Sequence, residues 1–155
     1  MIMSLPSVID AIRRRPGMFI APVTLDCIMA FLTGYDMALS GGFLTGLREW
    51  LVTKLGYGNN LAWTGLIHES IKVEKQCNDD EIAIERLFVL LEQFADVRNA
   101  RDGLRRIFAE YEQWLHRQEW YTPENPGWLG PSAAMTYKPR RKKRARRRDA
   151  RSSRK

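Results

Sequence analysis

Metal-binding and nucleophilic side chains are scarce in this sequence. Its two cysteines, Cys27 and Cys77, and its two histidines, His68 and His116, stand far apart and at no ligand-like spacing. A structural or catalytic metal site draws several such residues from short, fixed spacings, so no metal is expected. The same scarcity argues against a Ser/His/acid or Cys/His nucleophile, and the chain reads as non-enzymatic, with no cofactor. The cysteines read as reduced, mostly buried thiols. Long apolar runs are missing too, and nothing approaches the roughly 20 residues a membrane-spanning helix needs. Met1-Ile2-Met3-Ser4-Leu5-Pro6 lacks the charged, apolar and cleavage regions of a secretory signal, which predicts a cytoplasmic protein without membrane attachment. Apolar alternation is weak and no long repeat is visible, which removes sheets and solenoids. Gly56-Tyr57-Gly58-Asn59-Asn60 is glycine-rich, but no strand precedes it and no Gly-Lys-Ser/Thr follows, so it makes no phosphate cradle.

What the sequence does hold is helical periodicity. Ser7 reads as an N-cap, with Asp10 in the capping-box position, for a short helix reaching about Arg15. Val8, Ile9 and Ile12 face inward, and Arg13, Arg14 and Arg15 occupy the last turn, where cations complement the helix dipole. Pro16 stops this helix and Gly17 is expected to permit a sharp turn. Met18 and Phe19, with Ile20, then form an apolar hook expected to tuck beneath the second helix. Pro16, Gly17, Met18 and Phe19 thus read as a structural turn. Thr24 caps the second helix, whose Leu25, Ile28, Met29, Leu32, Tyr35 and Leu39 recur at helical spacing until Ser40-Gly41-Gly42. A third helix is expected over residues 43–55 and a fourth over 61–73, capped by Asn60. Asn78-Asp79-Asp80-Glu81 opens a fifth, with Ile84, Leu87, Phe88, Leu91 and Phe94 on one face. Leu104, Ile107, Phe108, Tyr111 and Leu115 continue the pattern, and whether residues 81–118 form one helix or two stays open. The expectation is an all-α, single compact domain of five to six helices over residues 1–120. A Pro/Gly/aromatic strap follows over 121–137, carrying Trp128, Met135 and Tyr137, and then a disordered tail over 138–155.

The formal net charge of +7 conceals a division. Lys138 to Lys155 holds 12 of the 25 Lys/Arg residues and one acid, Asp149, for +11. The other 137 residues carry 13 bases against 17 acids, for −4. Lys138, Arg140, Arg141, Lys142, Lys143, Arg144, Arg146, Arg147 and Arg148 form a block with almost no apolar side chains, too polar to pack a core. Arranged against DNA or RNA phosphates, such a block binds by counterion release, without sequence preference and with steep salt dependence. Arginine predominates, which suits bidentate phosphate contacts. An acidic partner protein, an address signal and a solubility tail are the competing readings.

The run Ile12-Arg13-Arg14-Arg15-Pro16-Gly17-Met18-Phe19-Ile20 resembles the opening of the ATPase domain of bacterial gyrase B-type topoisomerases. In that family the next helix supplies a water-activating glutamate and a magnesium-binding asparagine. Here those positions fall on Met29 and Thr33, and the glycine-rich lid motifs are absent, so the resemblance does not imply an ATPase. Residues 7–96 more fully resemble a group of small bacterial helical proteins with an Arg-Pro-Gly-Met-aromatic turn. Leu25, Phe31, Leu32, Gly34 and Tyr35 match its second helix, and Trp63 and the acidic start at Glu81 match later segments. Proteins of this kind resemble immunity proteins encoded beside secreted toxins. The resemblance implies a non-catalytic protein whose acidic body binds a protein partner such as a toxin. The basic tail lies outside that pattern and supports the alternative, a nucleic-acid-associated protein.

Overall fold

A computed structural model describes residues 5–73 and 80–122. Six α-helices run through them: α1 Leu5–Arg14, α2 Leu25–Ala38, α3 Leu47–Leu55, α4 Trp63–Val73, α5 Asp80–Asn99 and α6 Gly103–His116. A 3-10 turn, Pro16–Met18, follows α1, and no strand is present among the described residues. The chain is all-α. Most of the strap and the whole basic tail, from residue 123 onward, lie outside the described residues, as does the capping run at Asn78 and Asp79.

Helix α5, the longest, packs against α1, α2, α4 and α6. Its Ala83, Leu87, Leu91 and Ala95 recur every four residues, and with Phe88 and Phe94 they fill the centre of the core. Ile9 and Ile12 of α1, Ile28 and Leu32 of α2, Leu47 and Leu51 of α3, and Leu66 and Ile67 of α4 close around them, nearly all fully buried. Each such side chain contributes roughly 1.5–3 kcal/mol by leaving water. This common core holds the helices in fixed relation and so shapes the surface grooves between them.

Local chemistry moves several expected boundaries. The chain is already helical at Leu5, so Ser7 lies inside α1 and is not its cap. Pro6 sits comfortably in a first turn, where its missing N–H has no helical acceptor to lose. Buried Leu5 extends the inward stripe of Val8, Ile9 and Ile12 by one turn. Helix α3 begins at Leu47 and not near Phe43, because Gly46 sits at φ +88, which breaks helical continuity. Phe43 and Leu44 are nevertheless buried, without being helical. The Leu44 amide donates to Asp36 Oδ1 at 2.8 Å, and Arg98 donates to the Phe43 and Gly42 carbonyls at 2.5 and 2.6 Å. Those bonds meet backbone needs that a helix would otherwise have met. Asn60 does not cap α4; Leu61 closes a turn onto the Gly58 carbonyl, and Ala62 accepts the first helical bond, from Leu66.

Residues 81–118 form two helices. Asp102 adopts φ +58, and Gly103 opens α6 so close to the end of α5 that a Cβ would overlap the Val97 and Arg98 carbonyls.

The turn after α1 forms, but not as a buried hook. Phe19 and Ile20 both donate to the Pro16 carbonyl. Only Ile20 is buried; Met18 is 71% and Phe19 45% exposed. Phe19 meets Phe31 of α2 edge-on, with ring centroids 5.9 Å apart, at the surface of the core and not beneath it. Gly17 has open space where a Cβ would stand and no positive φ, so Pro16 and these backbone bonds make the turn.

Candidate binding groove at the start of helix α5

The last turn of α1 reaches across α5. Arg13 donates to Glu92 at 2.5 Å and to Glu85 at 3.0 Å, and its guanidinium lies 5.2 Å from the Phe88 ring centroid. Glu85, Phe88 and Glu92 share one face of α5 by their spacing of three and four residues. The arginine therefore finds a carboxylate on each side and an aromatic face beneath. Its Nε is buried without a hydrogen-bond partner, so the pairing rests on the terminal nitrogens. Among the described residues Arg14 pairs only with Asp10, one turn back on its own helix, and both side chains are largely exposed.

Beside this bridge lies a groove of about 780 Å³. Arg13, Pro16 and Val23 form one wall, and Asp80, Glu81, Ile82, Ile84, Glu85, Arg86 and Phe88 of α5 the other. Val23 is 39% and Ile82 50% exposed, two aliphatic side chains set among charged ones. Three carboxylates within six residues thus stand beside a solvated apolar surface. Concave surfaces with acidic walls focus negative potential and favour cationic ligands. The apolar component adds the desolvation energy that a purely charged surface lacks.

A second hollow, about 540 Å³, lies between α2 and α4. It is lined mainly by Met29, Ala30, Thr33, Gly34, Met37, Thr64 and Gly65, with the Asp26–His68 contact of 2.9 Å at its rim. Met29 is buried and accepts a hydrogen bond from Thr33 Oγ1 through its carbonyl at 2.8 Å. Neither side chain offers a carboxylate or amide to a nucleotide. Among the described residues no group of three or more His, Cys, Asp or Glu side chains is placed to hold a metal. No helix among them is long and apolar enough to cross a membrane.

Of the residues singled out in the sequence, Pro16 lines the groove, Gly17, Met18 and Phe19 surround the adjoining turn, and Lys138 to Arg148 lie outside the described residues. Val23 and Ile82 were not anticipated. Ile82 falls off the inward stripe that runs through Ala83 and Leu87, and an aliphatic residue off such a stripe is the signal that marks it. The pairing of Arg13 with Glu85 and Glu92 spans more than seventy residues and leaves no local trace. No family model, curated protein or solved structure matches the chain, so the chemistry of its surface is read from the groove itself.

Proposed function

We propose that this is a non-catalytic, cytoplasmic binding protein whose acidic helical body engages a basic protein partner, in the manner of an immunity-type inhibitor of a bacterial toxin. The groove beside Arg13 carries the reading, because exposed Val23 and Ile82 stand next to Asp80, Glu81 and Glu85. A protein segment presenting one apolar side chain among lysines or arginines fits both features at once. Apolar burial would supply affinity, while the opposed charges would speed encounter and set orientation. A toxin that acts on nucleic acid carries such a basic surface at its phosphate site, and occupying that surface would inhibit it. Titration calorimetry of the full-length protein against the product of the neighbouring gene tests the reading. A complex weakened at least tenfold by Ile82→Lys, with the fold unchanged by circular dichroism, supports it. No complex, or one indifferent to Ile82→Lys, overturns it.

A second reading rests on the 12 Lys/Arg residues between Lys138 and Lys155. In it the tail recruits the helical body to DNA or RNA phosphates.

A further inference from the structure

We infer that the groove at the start of α5 is also a docking site for the chain's own residues Met135 to Arg144, so that body and tail mask one another until a partner separates them. The inference builds on the groove described above and deepens its proposed role by making it regulated.

The match is one of chemistry in order. Met135 and Tyr137 are followed at once by Lys138, Arg140, Arg141 and Lys142, apolar side chains running directly into basic ones. The groove presents the complement, with exposed Val23 and Ile82 beside Asp80, Glu81 and Glu85. Arg13 and Arg86 also line the groove, but Arg13 is already held between Glu85 and Glu92. The lining's three carboxylates outnumber its two guanidiniums, for a net −1, and Glu92, just outside the groove, adds a further negative charge by holding Arg13.

Reach is sufficient. Fifteen residues separate Thr122, at the end of the described body, from Lys138. Such a segment extends up to ~50 Å, whereas a folded body of this size has a radius of gyration of about 14 Å. Tethering also raises the local concentration of the tail to roughly millimolar, so even a weak mutual affinity fills the groove. Exposed ion pairs are individually weak, worth roughly 0.2–1 kcal/mol. The contact would therefore be reversible and sensitive to salt, as suits a mask and not a permanent strap.

Zero-length carbodiimide coupling of the full-length protein, read by peptide mass spectrometry, tests this directly. At low salt Lys138, Lys142 and Lys143 should couple to Asp80, Glu81 and Glu85. Coupling should fall about tenfold in 0.5 M NaCl, where the Debye length is only a few ångströms, and by a comparable factor in Ile82→Lys. A mixture of isotopically labelled and unlabelled protein should give no mixed pairs. Coupling spread equally over Glu110, Glu112 and Glu119, mixed-isotope pairs reporting a second copy's tail, or no coupling at all would each overturn the inference. The map reads the tail alone, so a tail that misses the groove leaves partner binding to calorimetry, and a missing partner leaves the map intact.

Discussion

The Tyr111 hydroxyl donates to Asn59 Oδ1, tying α6 to the loop between α3 and α4. Arg48 completes the knot. Its guanidinium donates to the carbonyl of Asn59 and, at 3.0 Å, to that of Leu61. Asn59 is the one buried polar residue among those described, 5% exposed, and its needs are met here by α3 and α6 together.

Breaking this knot should cost more than a surface change. Arg48→Met leaves loop carbonyls without their donor, and an unsatisfied buried polar group costs about 1–3 kcal/mol. Urea unfolding monitored by circular dichroism should show a loss of that size. Tyr111→Phe should cost less, about 0.5–1.5 kcal/mol, since Arg48 still donates to Asn59 Oδ1 at 3.3 Å and the only other bond lost is a long one, 3.4 Å, from Arg48 to the hydroxyl. A reversed ranking would show that Tyr111, and not Arg48, organises the loop.

The glycines should divide sharply. Gly103→Ala places a Cβ against the Val97 and Arg98 carbonyls, which are backbone and cannot swing aside. A loss of about 1–3 kcal/mol is expected, the range for overpacking. Gly34→Ala, inside α2 with open space around it, should instead stabilise by roughly 0.5–1 kcal/mol. Gly17→Ala should stay within about 0.5 kcal/mol. Thermal melts of the three variants check all of this together.

The neighbouring arginines should differ as well. Arg13→Ala removes contacts with Glu85, Glu92 and the Phe88 face, including the packing of its aliphatic stem. About 1–2 kcal/mol is expected, discounted for a side chain one-third exposed. Arg14→Ala loses a single exposed helix pair worth about 0.3–0.5 kcal/mol. In 1 M NaCl the two variants should approach one another, because screening removes the ionic part while the packing part persists.

Binding to duplex DNA of arbitrary sequence should depend steeply on salt. Eight phosphate contacts would give a logarithmic slope near −7 by counterion release. Deleting Lys138 to Lys155 should abolish the binding. A flat response in a fluorescence-anisotropy salt series, or full binding by the shortened protein, would remove the nucleic-acid reading.

Much of the fold is legible residue by residue. Thr24 caps α2 by accepting from the Cys27 amide, as its side chain and position suggest. Pro16 ends α1 because its ring crowds the preceding residue out of helical angles, and Arg15 sits at φ −145, ψ 62. The candidate groove is far less legible. Arg13, Pro16, Asp80, Glu81, Ile84 and Phe88 of its lining stand out in the sequence, but as helix ends and an apolar face, and nothing local says that they share a groove. Met18 and Phe19 look like core residues by type, yet Ile28, Met29 and Leu32 of the second helix are buried while the hook's Met18 and Phe19 stay exposed.

The sequence alone therefore determined the all-helical class, the stop at Pro16 and the separation of an acidic body from a basic tail. Periodicity, the clash of a proline ring with the residue before it and a count of charges are local quantities that need no neighbour. Tertiary structure decided that α5 and α6 part at Gly103, that Phe43 and Leu44 are buried without a helix, and that Arg13 serves Glu85 and Glu92. It also decided that Val23 and Ile82 meet across one groove. Each of these depends on which surfaces the core brings together, and residues distant along the chain carry no local mark of whom they will meet.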